Sequence, residues 1–195
     1  MTRAAGLGLL VAFTALAVVG RMAFLWAPNV ALTYLVVFLA GVGYGVRFGA
    51  LVGLLAMLIT NFLLTGLHPV LLVNSPAMAL LGAAGGLLGR VVNFGQLKDE
   101  PPVFAAGLAA FTGFTATLLF SVATDTTQYL LFSYLPTGIW APGYLGLLVG
   151  QGLLFNAIPA VVNAALFAVG AYPVLRALRQ AGYLRQRTPA SAATG

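Results

Sequence analysis

Long stretches without charge are the feature that most restricts how this chain can fold. From Val30 to Leu64 the only charged residue is Arg47, and most of the other side chains are apolar. The whole chain of 195 residues is 61% hydrophobic and only 6% charged, whereas soluble domains carry about 25% charged residues. So few charges cannot cover a surface that faces water. The sequence therefore predicts an integral membrane protein in a lipid bilayer.

The apolar stretches predict six membrane-spanning helices, because one span needs about 20 mostly apolar residues. We predict an all-α bundle with spans at about residues 4–27, 30–46, 48–65, 70–93, 102–123 and 143–174. The first segment begins like a signal peptide, but no cleavage site precedes Arg21, so we expect a retained helix. Residues 1–175 form the predicted domain, and residues 176–195 form a basic, partly disordered tail.

The basic residues predict the orientation of the bundle. With both termini in the cytoplasm, the inner segments contain eight of the nine Lys and Arg residues, namely Arg3, Arg47, Arg90, Lys98, Arg176, Arg179, Arg185 and Arg187. This distribution follows the positive-inside rule. We therefore expect a multi-pass protein of a prokaryotic cell membrane. The rule also accounts for the net charge of +6 without nucleic acid, which is not an expected partner.

Glycines recur around Arg47 and on two of the predicted helices. Gly43, Gly45 and Gly49 favour a tight cytoplasmic turn. A dinucleotide-binding loop is excluded, because Val46 stands where its last glycine would be and no strand precedes it. Small residues also recur at helical spacing, at Ala4, Gly8 and Ala12 on the first helix and at Gly82, Gly86 and Gly89 on the fourth. Such stripes pack helices inside a bundle or form a docking face for another membrane protein.

Arg21 is the most unusual polar residue, because it lies in the outer half of the first helix, where a charge is costly. Three interpretations are open: it reaches the outer headgroups, it pairs with Asp125, or it binds an anionic group of a ligand. Other polar side chains, such as Asn61, also gather at the outer side. Each can be an ordinary interhelical hydrogen bond, but together they resemble an outward-facing binding cleft.

Catalysis and metal binding find little support in the sequence. The chain has one histidine, His68, and no cysteine, and no serine lies in a G-x-S-x-G setting. We therefore predict neither an enzyme nor a bound metal or cofactor. The predicted second, third, fourth and sixth helices contain no acidic residue, which argues against a carrier driven by protons alone.

Four stretches resemble the substrate-binding (S) components of energy-coupling factor (ECF) vitamin transporters. They are RMAFLWAPNV (21–30), LAGVGYGVRFGALVGLLAMLITNFLLTGLHPVLL (39–72), ALLGAAGGLLGR (79–90) and LLFNAIPAVVNAALF (153–167). The shared pattern is an arginine on helix one, a Pro-Asn entry to helix two and a glycine-rich turn, followed by a TNF end to helix three and a glycine-rich helix four. The likeness is strongest over residues 21–90.

The resemblance implies a subunit that captures a vitamin-like molecule outside and docks on a membrane coupling subunit driven by two cytoplasmic ATPases. In the family a small-residue stripe on helix one is the docking face, which corresponds here to Ala4, Gly8 and Ala12. By position, the resemblance implies substrate contacts from His68, Asn74, Asp125, Gln128, Tyr129, Gln151 and Asn156, beside Arg21 and Asn61. The best-matching substrate is cobalamin or a precursor. The alternatives are a membrane assembly protein without a small ligand and an intramembrane enzyme acting on lipids.

Overall fold

A computed structural model describes residues 3–26, 32–91, 102–133 and 142–182, with the backbone alone for Gln128, residues 130–133, residues 142–154 and a few others. These residues form six helices and no strand. The helices are α1 (Arg3–Ala23), α2 (Leu32–Tyr44), α3 (Val46–Thr65), α4 (Val70–Val91), α5 (Pro102–Ser133) and α6 (Pro142–Gln180). The predicted all-helical architecture is confirmed.

Five of these helices contain a segment long and apolar enough to cross a membrane. The segments are Ala4–Ala23, Val46–Thr65, Val70–Arg90, Ala106–Thr127 and Phe155–Leu178. Large apolar side chains are exposed along them, for example Leu7 on α1, Phe111 on α5 and Phe155 on α6. Soluble monomers rarely expose apolar surface on this scale. The fold is therefore compatible with a helical bundle surrounded by lipid.

α2 is the exception, since it has only 13 residues and is roughly 20 Å long at 1.5 Å per residue. Every residue from Thr33 to Gly41 is buried, and α2 contacts each of the other five helices. A helix that is apolar all round and buried is the core of a bundle. The predicted span 30–46 thus corresponds to a short central helix and is not one of the five long apolar helices.

Glycines bring the backbones of α2, α3 and α4 into direct contact. A Cβ atom added to Gly41 on α2 would lie 2.7 Å from the backbone nitrogen of Gly86 on α4. One added to Gly53 on α3 would lie 2.8 Å from the carbonyl carbon of Met78. The predicted turn before Arg47 is a single residue, Gly45, whose φ of 98° suits glycine. The glycine stripe on α4 therefore packs inside the bundle.

α5 is longer than predicted, because it continues from residue 123 to Ser133 and takes in residues that were expected to form an outer loop. No glycine or proline interrupts residues 124–133. The threonines also bond to their own helix: Thr124 Oγ1 donates to the Ser121 carbonyl (2.9 Å) and Thr127 Oγ1 to that of Ala123 (2.7 Å). Threonine hydroxyls satisfied in this way do not end a helix.

α6 also exceeds its predicted end at residue 174 and continues to Gln180. The first residues of the predicted tail, from Arg176, therefore belong to this helix. Residues 183–195 lie outside the described part of the chain, so the predicted disorder there stays a prediction.

The contacts define two ends of the bundle, which we call the Gly45 end and the His68 end after the turns they contain. α3 and α4 are antiparallel and meet at the His68 turn, formed by residues 66–69. α2 begins at this end too, where Thr33 Oγ1 donates to the Ala17 carbonyl of α1 (2.8 Å). α5 reaches it through the edge contact of Phe120 with Tyr34, with ring centroids 5.1 Å apart. The His68 end thus joins parts of distant helices.

Candidate functional site

Buried polar atoms without a hydrogen-bond partner collect at the His68 end. Four side-chain atoms there have no such partner among the described residues, namely Arg21 Nε, Asn61 Nδ2, Asn74 Oδ1 and Ser75 Oγ. Thr14 Oγ1, near the middle of α1, also has no partner among the described residues. A buried polar group left unsatisfied costs about 1–3 kcal/mol. Their concentration at one end marks this region as the candidate site.

Asn61, Asn74 and Ser75 form the α3–α4 part of the site, with exposed fractions of only 4%, 9% and 2%. Asn61 lies in the last turns of α3, and the other two lie in the second turn of α4. Pro76 follows inside α4 and has no amide hydrogen to donate to the carbonyl four residues earlier, that of Leu72. The start of α4 therefore has hydrogen-bonding groups available to a ligand: the side chains of Asn74 and Ser75 and the carbonyl of Leu72, which receives no helical hydrogen bond from residue 76.

Arg21, Tyr34 and Asp125 bring charge to the same end. The Tyr34 hydroxyl lies within electrostatic range of both Arg21 and Asp125. No ion pair joins Arg21 to Asp125 in the described part of the chain. Asp125 Oδ2 instead accepts a hydrogen bond from Asn156 Nδ2 at 2.8 Å. Of the three interpretations of Arg21, direct pairing with Asp125 is therefore not what the structure shows.

The remaining predicted substrate contacts are less informative. Tyr129 is buried on α5. The side chains of Gln128 and Gln151 lie outside the described residues. His68 Nδ1 accepts a hydrogen bond from the Val70 amide nitrogen at 3.3 Å, which gives this residue a role in closing the short turn between α3 and α4.

Ser75 and Tyr34 were expected among the polar residues of the outer side but not among the substrate contacts. Both were visible only as polar residues near a helix start, and nothing in the local pattern shows that Ser75 is buried without a partner. The reverse case is Asn163, which lies two turns after Asn156 on α6. Its Nδ2 donates to Thr117 Oγ1 at 3.2 Å, so this fully buried side chain joins α5 to α6.

The two small-residue stripes have different environments. Ala4, Gly8 and Ala12 are exposed on α1, and a Cβ atom added to Gly8 would meet nothing within 4 Å. The stripe on α4 is packed against α2 and α3, as described above. Packing within the bundle therefore explains the α4 stripe and does not explain the α1 stripe.

Asp125 and Asn156 offer a direct measure of how strongly α5 and α6 are coupled. We expect Asp125→Ala and Asn156→Ala each to lower the unfolding free energy, and the double variant to lose about 1 kcal/mol less than their sum. Thermal unfolding of the wild type, the two single variants and the double variant in one detergent provides this double-mutant cycle. Thr127→Val is the matched control, because its hydroxyl bonds only within α5. Additive losses for Asp125 and Asn156 would show that the hydrogen bond contributes nothing measurable.

Comparison of the chain with known proteins gives no match: no family model, no curated protein and no solved structure is similar to it. In the described residues, no three His, Cys, Asp or Glu side chains come together as a metal site. The His68 end thus offers the amides of Asn61 and Asn74 and the hydroxyl of Ser75 for hydrogen bonding. Arg21 and Asp125 add a positive and a negative charge near the hydroxyl of Tyr34.

Proposed function

We propose that this protein is the substrate-capture subunit, or S component, of an ECF-type uptake transporter in a prokaryotic cell membrane. The observation that carries the proposal is the group of buried polar atoms at the His68 end that have no hydrogen-bond partner in the described residues. A polar solute bound there would supply the missing hydrogen bonds and recover part of their cost. The proposal includes six spans with cytoplasmic termini, since the positive-inside rule then places the His68 end outside.

The chemistry of the candidate site favours binding over catalysis. Asn61, Asn74 and Ser75 supply neutral donors and acceptors, whereas acid–base or nucleophilic catalysis needs an activated base or nucleophile within hydrogen-bond reach. Small-molecule sites in helical bundles are likewise apolar pockets with a few placed polar groups. The proposed function is therefore capture of a solute without chemical change.

The best candidate substrate is cobalamin or a precursor. Corrinoids carry several carboxamide groups, which both donate and accept hydrogen bonds. In the described residues, Asn61 Nδ2 is a donor and Asn74 Oδ1 an acceptor without a partner, so together they complement such amides. Riboflavin, pantothenate and other vitamins are the next candidates to be tested.

The energy for transport would come from partners, a membrane coupling subunit and two cytoplasmic ATPases. The α1 stripe supports docking, because Ala4, Gly8 and Ala12 are exposed in the half of α1 toward the Gly45 end, the proposed cytoplasmic side. The same exposure favours the second candidate function, a membrane assembly protein that binds other helices without a small ligand. Ligand binding separates the two.

Gly8→Leu tests the docking face. Because a Cβ at Gly8 has open space, we expect the variant to fold and bind solute like the wild type. Its larger side chain would prevent close helix contact, so copurification with a coexpressed coupling subunit should fall at least about tenfold, or 1.4 kcal/mol. The matched control is Gly107→Leu on α5, whose added Cβ also has no neighbour within 4 Å. Equal copurification of both variants would place docking elsewhere.

The proposed function is tested by identifying what the purified protein binds. Detergent-purified protein is denatured, released small molecules are analysed by mass spectrometry, and a vitamin panel with cobalamin and cobinamide is titrated by calorimetry. A stoichiometric vitamin is the expected result. A folded protein that releases nothing and ignores the panel would overturn capture. Copurification with an unrelated membrane complex would then favour the assembly protein.

A further inference from the structure

Arg21 lies within an apolar segment, Ala4–Ala23, that is long enough to cross a membrane. Its side chain is partly buried, and its Nε is fully buried without a hydrogen-bond partner in the described residues. Guanidinium groups do not lose their charge in proteins, and a cation within the span is costly unless it is paired or solvated. Arg21 therefore calls for an anionic partner or for contact with the membrane surface.

The residues around Arg21 favour a partner inside the bundle. The hydroxyl of Tyr34, a residue that is only 7% exposed, lies within electrostatic range of Arg21. An arginine that extended only to the headgroups would keep its Nε toward lipid or water and away from this buried ring. The Nε of the Arg21 guanidinium group thus faces the interior of the bundle at the His68 end.

Asp125 is the one acidic residue in the described part of the chain, but it does not complete the pairing. Its carboxylate is within electrostatic range of the Tyr34 hydroxyl and is held by Asn156, with no ion pair to Arg21 in the described residues. The site therefore presents a cation and an oriented anion as separate groups near one hydroxyl. A solute with an acidic group and a hydrogen-bond donor would be complementary to both.

We infer that Arg21, beside Tyr34, binds an anionic group of the captured solute, a carboxylate or a phosphate, while Asp125 accepts a hydrogen bond from a donor on the same molecule. The inference rests on the proposed capture function and narrows its substrate class. Arginine suits this role because its planar fork donates two parallel hydrogen bonds to carboxylate or phosphate oxygens.

Matched ligands test the inference on the unaltered protein. The full chain is placed in phosphatidylcholine nanodiscs and titrated with three pairs: pantothenate and pantothenol, biotin and biotinamide, and cobalamin and cobinamide. Only the first member of each pair carries a carboxylate or a phosphodiester. In the pair that binds, we expect the anionic member to have about 10- to 100-fold higher affinity than the other member. This is the difference that one hydrogen bond to a charged group produces. Equal affinity within that pair overturns the inference.

Variants then assign the preference to Arg21. Arg21→Gln is expected to abolish the preference for the anionic member, and Arg21→Lys to retain part of it because it keeps charge without the fork. Arg47→Gln is the matched control, since Arg47 is exposed near the Gly45 end and should leave the preference unchanged. A preference that survives Arg21→Gln overturns the inference.

A phospholipid phosphate is the other source of the same chemistry. Nanodiscs containing phosphatidylglycerol distinguish the sources. If Arg21 binds lipid, Arg21→Gln lowers copurified phosphatidylglycerol and leaves solute affinity unchanged, which overturns the inference while the proposed function stands. If the folded wild type binds no probe and releases no small molecule, the proposed function fails and the inference fails with it. A pair of probes whose two members bind with equal affinity defeats the inference alone.

Discussion

Gly82→Ala is expected to prevent normal packing of α3 against α4, even though it adds one methyl group. The new Cβ would overlap the carbonyl of Gly49 and lie 3.0 Å from the amide nitrogen of Ala50. Both neighbours are helical backbone, which cannot change rotamer to make room. Overpacking of a core side chain costs about 1–3 kcal/mol, and a clash between two backbones should cost about 3 kcal/mol or more. Thermal unfolding in detergent and the monodisperse fraction on size exclusion measure this loss.

Gly107→Ala is the control for this change. It makes the same substitution within a long apolar helix, α5, where the added Cβ meets nothing within 4 Å. Alanine favours a helix over glycine by about 1 kcal/mol, so this variant should be as stable as the wild type or more so. If Gly82→Ala unfolds at the same temperature as Gly107→Ala, the close approach of α3 and α4 is wrong.

The contrast between these two glycines shows what the sequence could predict about packing. Spacing identified a stripe through Gly82, Gly86 and Gly89, and the structure confirms that it is an interface. Spacing within one helix does not show which other helix it faces. The partners Gly41 and Gly49 lie on α2 and α3, and their pairing with α4 depends on the three-dimensional arrangement of all three helices. A similar stripe on α1 is exposed although its pattern looks the same.

The helix boundaries were predictable where the chain has strong breaks and less so elsewhere. The break at residues 66–69 was placed correctly because glycine and proline stand there. The predicted end of α5 is ten residues too early, because the polar residues from Thr124 onward resemble a loop in composition. Threonines that bond to their own helix look like loop residues in a sequence. α2 was expected to be a full span because its apolar run does not reveal its burial at the centre.

The members of the site could be predicted as a group but not in their individual roles. Alternating spans bring the ends that contain Asn61, Asn74 and Asp125 to one side of a bundle, and the structure places them at the His68 end. Whether a polar side chain in lipid pairs with a neighbouring helix or remains unpartnered depends on atomic packing. Asn156 turned out to bond to Asp125, whereas Asn74 Oδ1 has no partner in the described residues.

Asn74→Leu is expected to raise stability and lower affinity for the proposed solute at the same time. Leucine has the same branching at Cγ and the same number of side-chain heavy atoms as asparagine, and it removes a buried acceptor that has no hydrogen-bond partner in the described residues. The gain in unfolding free energy should be about 1–3 kcal/mol, the cost of such an unsatisfied group. Affinity should fall at least about tenfold, because a solute donor would lose its acceptor. Unfolding without ligand and calorimetry with the identified solute measure the two effects separately.

Asn163→Leu is the matched control, because this buried asparagine donates to Thr117 Oγ1. Here the same substitution removes a hydrogen bond, so stability should fall by about 1 kcal/mol while affinity stays unchanged. Ser75→Ala repeats the test with a smaller change at a side chain that is 2% exposed, and it should resemble Asn74→Leu. If Asn74→Leu raises the unfolding free energy and Asn163→Leu lowers it, the buried polar groups at the His68 end reduce stability and serve binding. Equal destabilisation with unchanged affinity would make Asn74 a packing residue and remove the main support for solute capture.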